Sequence, residues 1–439
     1  MHLRGIRRTA LLFALLLSGS IVLLRAQQPA PQKMDSLALQ DAHAMLHQGY
    51  DEIRKNYYDP TFHGVDLDKT YQQYNARLDA STDVNDAYRV IEAFMLSLHD
   101  SHTNFMPPKR ANPSTPGFSM KMIGDKCLIT RIRPSTDAAS KLHVGDQVLT
   151  LDGFKVELAH FDEMLYFIQV LSPGPYMVLD LLNPAGEHRK ETVNAEVHYG
   201  KYGIDIGGSS QNSSIEKIMH LRRSRFFDIG DTFIWKMPTF LVPFPDMDTA
   251  ADKAKKYKNL IIDLRGNSGG AEDTVKAMLG HFFDHEIKLG DRVTRKETKP
   301  VIIKPRKPFY SGDVIVLVDH NSASASEIFA RVIQLEHRGK VIGDNSAGAV
   351  MEAQAFGEVI GADARKIIYG IIVTRANLLM TDGKSLENVG VIPDELLLPT
   401  AQDLAAGKDP VLSHAVDLTG AKLDPVAAGK LFPFEWPDL

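Results

Sequence analysis

Cysteine occurs once in 439 residues, at Cys127. The chain can form no internal disulfide, and no cysteine follows the N-terminal apolar stretch where a lipid anchor would attach. Cys127 lies in the strand-like Asp125-Lys-Cys-Leu-Ile-Thr-Arg131, a setting that suits a packing residue better than a nucleophile. Basic charge is not in excess, with 50 Lys and Arg against 55 Asp and Glu, which argues against nucleic acid as a partner. Repeats and low-complexity tracts are absent. With 44% hydrophobic and 24% charged residues, neither a disordered chain nor a multi-spanning membrane protein is indicated. The only long apolar run, Ala10 to Leu24, is shorter than the roughly 20 residues of a spanning helix and is interrupted by Ser18, Gly19 and Ser20. It follows Arg4, Arg7 and Arg8 and precedes Leu24-Arg-Ala26, so residues 1–26 read as an export signal that directs the protein to the periplasm or the exterior. Its removal would take four arginines and no acid, moving the formal charge from -5 to -9. Membrane contact would arise only through that signal, were it to stay uncleaved.

At this length two or three domains are expected. Residues 27–33, rich in Gln and Pro, read as a linker. A helical domain is expected over 34–108, where Leu37, Leu39, Ala42, Leu46, Tyr50, Ile53 and Tyr57 recur near helical spacing and Asp83 to Leu98 forms a second such helix. It closes on the polar turn Leu98-His-Asp-Ser-His-Thr-Asn-Phe105. From 116 to 198 the pattern changes to short strands, clearest at Cys127–Ile132 and Met177–Leu182. Between them Asp137 to Gly153 runs as a short helix, a Gly145-Asp146 turn, a strand and an Asp152-Gly153 turn, and this order resembles a PDZ domain. The resemblance makes Gly117, Phe118, Ser119 and Met120 the loop that would hold a peptide carboxylate. The alternative is a PDZ-like module that is structural or gates a cleft. Over 200–400 strands and helices alternate, which predicts a layered α/β core. Residues 401–439 read as a C-terminal helical tail, with Pro410 in the first turn of a helix.

Two stretches of the α/β region carry chemistry. Leu260-Ile-Ile-Asp-Leu-Arg-Gly-Asn-Ser-Gly-Gly270 and Val314-Ile-Val-Leu-Val-Asp-His-Asn-Ser-Ala-Ser-Ala-Ser-Glu327 each begin as a strand buried on both faces, then turn small and polar. Chemistry in open α/β sheets gathers at such strand ends. The first stretch offers bare backbone N–H groups; the second lifts a serine onto a helix N-terminus, where developing negative charge is favoured. This pattern fits a hydrolase.

These stretches, together with Asn388-Val-Gly-Val-Ile-Pro-Asp394, resemble the carboxyl-terminal processing, or tail-specific, protease family, which includes the tricorn core protease. The resemblance implies a crotonase-like layered α/β protease core with an N-terminal helical cap and an inserted PDZ-like β domain. It makes Ser324 the nucleophile and assigns the oxyanion hole to the N–H groups of Ala325 and of Gly269 or Gly270. It implies polypeptide substrates and no cofactor or metal, and it leaves an oligomer open.

A serine hydroxyl needs a base at neutral pH. In the better-known branch of that family a lysine follows the nucleophile helix, but the matching segment, Gly343 to Val350, has Ala349 at that position. Lys340 is out of register and would have to cross a strand. The chain is more similar to the tricorn-like branch, which uses a second serine, a histidine and a glutamate. On that resemblance Ser101, His102 and Glu387 fill these roles, with His102 as base and Ser101 and Glu387 orienting it. The alternative for His102 is a capping or hinge histidine. The implied activity is an exported serine endopeptidase that cleaves polypeptides near C-termini or in unfolded segments through an acyl-enzyme. The alternative, motivated by the missing lysine, is an inactive relative that binds peptides. The pairs His43/His47 and His281/His285 have metal-compatible helical spacing but lack a His-Glu-x-x-His glutamate and read as surface histidines. The basic stretch Arg295 to Arg306, broken by Pro300 and Pro305, reads as a solvated loop or edge strand, and Asp263 and Arg265 as braces of the glycine turn.

Overall fold

The structure, a computed structural model, describes residues 34–109, 114–197, 220–362 and 365–436. The expected signal at 1–26 and linker at 27–33 lie outside the described residues. No helix among the described residues is long and apolar enough to cross a membrane.

The centre is a six-stranded sheet in the order Arg225–Ile229, Thr232–Lys236, Asn259–Asp263, Asp313–Val318, Lys340–Gly343, Glu395–Leu396, parallel except for the first pair. Its middle strands are apolar on both faces, as their sequences require. Leu260, Ile262, Val314, Val316 and Val318 point into a core shared with the helices Phe244–Ala254, Glu272–Leu279 and Ala325–Leu335. Ile261, Ile315 and Leu317 point the other way, onto the helices Pro410–Leu418 and Pro425–Lys430. Helices of the C-terminal segment therefore form a layer of this core. Truncating one of these fully buried residues, such as Ile262, would cost about 2–5 kcal/mol.

A second sheet, antiparallel, is organised by the long strand Ile367–Met380, which pairs with Asn104–Met106, Ile287–Thr294 and Glu352–Ile360. The basic stretch forms its edge strand Thr298–Ile303, where Pro300 is tolerated. The helical domain packs on this sheet. It holds three helices, Ser36–Asn56, Leu67–Leu78 and Val84–Met95, each started by an aspartate (Asp35, Asp66, Asp83) that accepts a backbone N–H of the first turn. Ala42, Leu46, Tyr50 and Ile53 are buried as the spacing predicts, whereas Leu37 faces solvent. Their core includes Tyr369, Ile371 and Val373 of the long strand. Gly49 makes that contact close: a Cβ there would lie 2.1 Å from the Met95 methyl carbon.

The β domain is a further six-stranded sheet, with Phe118–Ile123 at one edge, and its core includes Cys127, whose thiol burial pushes up to about 12. Lys121 donates to Asp319 at 2.8 Å and Gly124 N–H to Asp344 at 2.7 Å, so its edge strand is tied to the loops at the strand ends of the central sheet.

Candidate active site

Three successive loops leave the carboxyl ends of the adjacent parallel strands Asn259–Asp263, Asp313–Val318 and Lys340–Gly343, and together they build the site. The first is braced from below, as expected. Arg265 donates to both oxygens of Asp263, at 2.9 and 2.8 Å, and to both of Asp409, at 2.9 and 2.7 Å, while Lys236 approaches Asp263 at 3.1 Å. Asp263 is fully desolvated, yet these two cations hold its carboxyl well below the usual range.

Asn267, completely buried, sets the glycine turn. Its side-chain amide donates to Met237 O at 2.8 Å and accepts the Gly269 N–H at 2.9 Å, and its carbonyl accepts from Ala323 N at 3.0 Å and Ser326 Oγ at 2.8 Å. The turn therefore lies against the nucleophile loop. A Cβ on Gly269 (φ +94) would come within 2.8 Å of Ser324 Cβ. Since the Gly269 N–H is committed to Asn267, the choice left open by sequence falls on Gly270, whose N–H makes no hydrogen bond among the described residues. The Ala325 N–H, at the first position of its helix, is likewise uncommitted. Gly270 and Ala325 thus present free N–H groups beside Ser324, while that of Gly269 is held by Asn267.

Ser324 is the N-cap of Ala325–Leu335 and has φ 54° and ψ −117°, a conformation rare for a residue with a Cβ. Four hydrogen bonds hold it there. Its N–H donates to Ala349 O at 2.8 Å and to Glu327 Oε2 at 2.9 Å, and its carbonyl accepts from Glu327 and Ile328. Glu327, entirely buried, also accepts from Ser346 Oγ at 2.6 Å and from the N–H groups of Gly348 and Ala349 at 2.7 and 3.0 Å, which fastens the third loop to the nucleophile helix. Burial raises its pKa, and these donors limit the rise. Its role was not singled out from sequence, although a Ser-x-x-Glu capping box is a readable signal.

The remaining residues arrive from elsewhere. The turn before Asn104–Met106 is shaped by Asp100, which accepts the N–H groups of His102 and Thr103 at 2.9 and 2.7 Å and the Thr374 hydroxyl at 2.7 Å. Ser101 and His102, adjacent in sequence, then bring their side chains together, with Ser101 Oγ 2.7 Å from His102 Nδ1. Glu387 joins them across 286 residues: one oxygen accepts the Ser101 N–H at 2.7 Å, the other the Ser101 hydroxyl at 3.0 Å and the Val350 N–H at 3.0 Å.

The proton inventory of this chain orients the imidazole. Ser101 has one hydroxyl proton and gives it to the carboxylate, so its oxygen must accept from His102, which puts the imidazole proton on Nδ1. The lone pair is then on Nε2, which makes no hydrogen bond among the described residues. Burial lowers the His102 pKa, opposed by the Asp100 charge, so the ring is neutral at pH 7. Burial raises the Glu387 pKa, opposed by its three donors.

Other sequence candidates lie outside this group. Lys340 pairs with Glu395 at the opposite end of its strand, which confirms that it cannot replace the missing amine. Gly117, Phe118 and Met120 are buried, the last two in the β-domain core, so of the expected carboxylate loop only Ser119 keeps partial exposure. His281 is buried between Pro308 O and Asp248, each at 2.8 Å, and is not a surface histidine; His43 contacts Asn75 and Asp79.

Comparison with known proteins bears on the family and the fold. Residues 236–397 match Peptidase family S41, and the chain thus carries a domain of that serine protease family. Residues 39–95, the helical domain, match the Tricorn protease C1 domain. Among curated relatives, a putative tricorn protease homolog 2 of Streptomyces coelicolor is 24% identical over 86% of this chain and 32% of its own length. A carboxy-terminal-processing protease of Bartonella bacilliformis is 25% identical over 74% of this chain and 72% of its own, and a tail-specific protease of Haemophilus influenzae 23% identical over 75% and 48%. The chain spans about a third to three-quarters of the length of these relatives. Among solved structures, mature CPAF complexed with lactacystin superposes with a TM-score of 0.64 at 16% identity, covering 84% of this chain and 96% of that one. The photosystem II D1 C-terminal processing protease superposes with a TM-score of 0.50 at 18% identity, covering 81% and 93%. The fold is shared with both.

Proposed function

We propose that the chain is an exported serine endopeptidase that cleaves polypeptides near C-termini or in unfolded segments through an acyl-enzyme, with imidazole in place of the family lysine. One peptide group carries the argument. The carbonyl of Ala349 accepts from Ser324 N, and the N–H of the next residue, Val350, donates to Glu387, so the nucleophile and the Glu387–Ser101–His102 chain are attached to opposite sides of a single rigid amide. In the reaction His102 Nε2 takes the Ser324 proton as Oγ attacks the scissile carbonyl. The oxyanion is received by the N–H groups of Gly270 and Ala325, and the imidazolium returns its proton to the leaving amine. Water repeats the sequence to free the acyl group. Ser101 and Glu387 keep Nε2 basic and stabilise the imidazolium. No metal takes part in this scheme. The central sheet with its flanking helices supports reading the core as crotonase-like, and the strand–helix–turn order of 118–194 supports reading that domain as PDZ-like.

The test is hydrolysis of an unfolded protein by the full chain and by Ser324→Ala and His102→Ala, alongside covalent labelling by a serine-reactive probe. Loss of labelling and of hydrolysis in Ser324→Ala, with at least a hundredfold loss in His102→Ala, is expected. Full activity in either variant removes the corresponding role. A protein that binds peptides but is never labelled is instead the inactive receptor.

A further inference from the structure

A cavity of about 440 Å³ adjoins the glycine turn. Its lining joins Gly269 and Gly270 of that turn to Thr239 and to Arg222, Arg223 and Arg225. Nothing in the scheme above uses these arginines. Arg222 is exposed and pairs with no carboxylate among the described residues, and burial and the neighbouring Arg223 lower the Arg225 pKa, opposed by Glu435. The cavity is thus electropositive beside the place where a scissile peptide must lie.

The C-terminal segment closes part of it. Phe434 and Glu435 belong to its lining. Glu435 makes a two-point ion pair with Arg223, at 2.6 and 3.0 Å, with His220 at 3.4 Å, and Arg225 donates to Pro433 O at 2.6 Å. The aromatic rings of this segment stack under arginines from both neighbouring domains. Arg225 lies over Phe432, and Arg131 of the β-domain strand Lys126–Ile132 and Arg133 just after it lie over Phe434 and Trp436. Acid flanked by aromatics against a row of arginines is a charge-and-stacking match. The attachment is nonetheless a surface one. The Phe434 ring stays 44% exposed, and the two partners of the Arg223–Glu435 pair are 39% and 38% exposed, which leaves both open to competition by water and salt. The segment also contributes little to the core beneath it, where only Leu431 and Phe432 touch the cluster behind the sheet.

We propose that this cavity is a binding subsite for acidic, aromatic polypeptide segments, and that residues 431–436 occupy it in cis as a displaceable competitor. The inference rests on the peptidase reading only for the use to which the subsite is put. A substrate segment with an acid between aromatic residues would replace Glu435 on Arg223 and Phe434 under Arg131, and would enter the cleft alongside Gly270. Because the segment bridges the β domain and the core, its displacement would also remove one of the ties between them.

The experiment uses the full-length chain carrying Ser324→Ala, in which no acyl-enzyme can form, and a fluorescent peptide Leu-Phe-Pro-Phe-Glu-Trp read by anisotropy. Glu435→Gln or Phe434→Ala, which loosens the cis segment, should tighten peptide binding at least tenfold. Adding Arg223→Gln should abolish the gain, and a peptide with Lys in place of Glu should bind at least tenfold more weakly. Unchanged affinity in both Glu435→Gln and Phe434→Ala, or a Lys peptide that binds as well, would overturn the inference. A fall in melting temperature without gain in affinity would likewise identify the segment as a fixed strap. Peptide binding that behaves as expected, in a protein whose Ser324 form hydrolyses nothing, would leave the subsite standing and reject the peptidase.

Discussion

Ser324 and Glu387 lie on opposite sides of one peptide group, the first donating to the carbonyl of Ala349 and the second accepting from the N–H of Val350. The residue that stands where relatives of the better-known branch have lysine is thus still a neighbour of the nucleophile. It contributes backbone instead of an amine, and the imidazole arrives from the helical domain. The resulting site depends on two groups whose titrations move towards each other.

His102 has its pKa lowered and Glu387 has its pKa raised, so the two titrations are brought closer together. The proposed mechanism requires neutral His102 and ionised Glu387. The acid limb of kcat/KM should therefore fall with a midpoint below 6.5 and with a slope steeper than one proton. Glu387→Gln should lower kcat by about 10- to 1,000-fold, the range in which orienting and electrostatic partners act, and return the limb to a slope of one. A first-order limb in the unaltered protein would count against the coupling.

Gly270 and Gly269 should respond differently to a methyl group. A Cβ on Gly270 (φ +150) would sit 2.5 Å from the Phe240 carbonyl carbon, and one on Gly269 would press on Ser324. Gly270→Ala should reduce kcat by about 10²–10³-fold through displacement of an oxyanion donor, with KM little altered. Gly269→Ala should in addition lower the melting temperature, because its N–H anchors Asn267. Steady-state kinetics and thermal melts on the two variants separate the roles.

The left-handed φ of Ser324 implies that function is held against local backbone preference, at a cost of order 1–3 kcal/mol. Ser324→Gly should abolish hydrolysis yet raise stability by about 1 kcal/mol in denaturant unfolding, while Ser324→Ala abolishes hydrolysis with no such gain. Equal stabilities of the Gly and Ala variants would show that the loop is unstrained.

Glu92 offers a pH test of the helical domain. It is buried, accepts the Phe105 N–H at 2.6 Å, and has its pKa raised to about 8 by burial. A carboxyl raised in the folded state holds its proton there while the unfolded chain has lost it, so stability is complete below about pH 4 and declines as pH rises towards 8. Glu92→Gln keeps the acceptor and removes the ionisation. It should flatten this decline and stabilise the protein at pH 8 by up to a few kcal/mol, on the scale of about 1.4 kcal/mol per pH unit. Chemical denaturation at pH 5 and pH 8 measures it.

Much of this was legible along the chain because its signals are local. The runs at 260–264 and 314–318 announce strands buried on both faces, the glycines at 266, 269 and 270 a turn that only bare backbone can make, and Ser324 a helix N-cap. The middle helix Leu67–Leu78 was less visible, since only Leu67 and Leu78 are buried and its stripe is weak. The expected tail proved to be a layer of the core because an apolar stripe at 411–416 does not say which sheet face it will cover.

Residue chemistry and spacing by themselves determined the strand–loop–helix units and the serine raised on a helix N-terminus, because each is decided within a dozen neighbouring residues, whereas the nucleophile role of Ser324 and the missing lysine came through the family resemblance. Only the tertiary structure decided which glycine N–H is free, which nitrogen of His102 is basic, and that Glu387 reaches Ser101. Those outcomes depend on which donors have already been claimed by partners up to 286 residues away, and hydrogen-bond competition of that kind exists only once the chain has closed on itself.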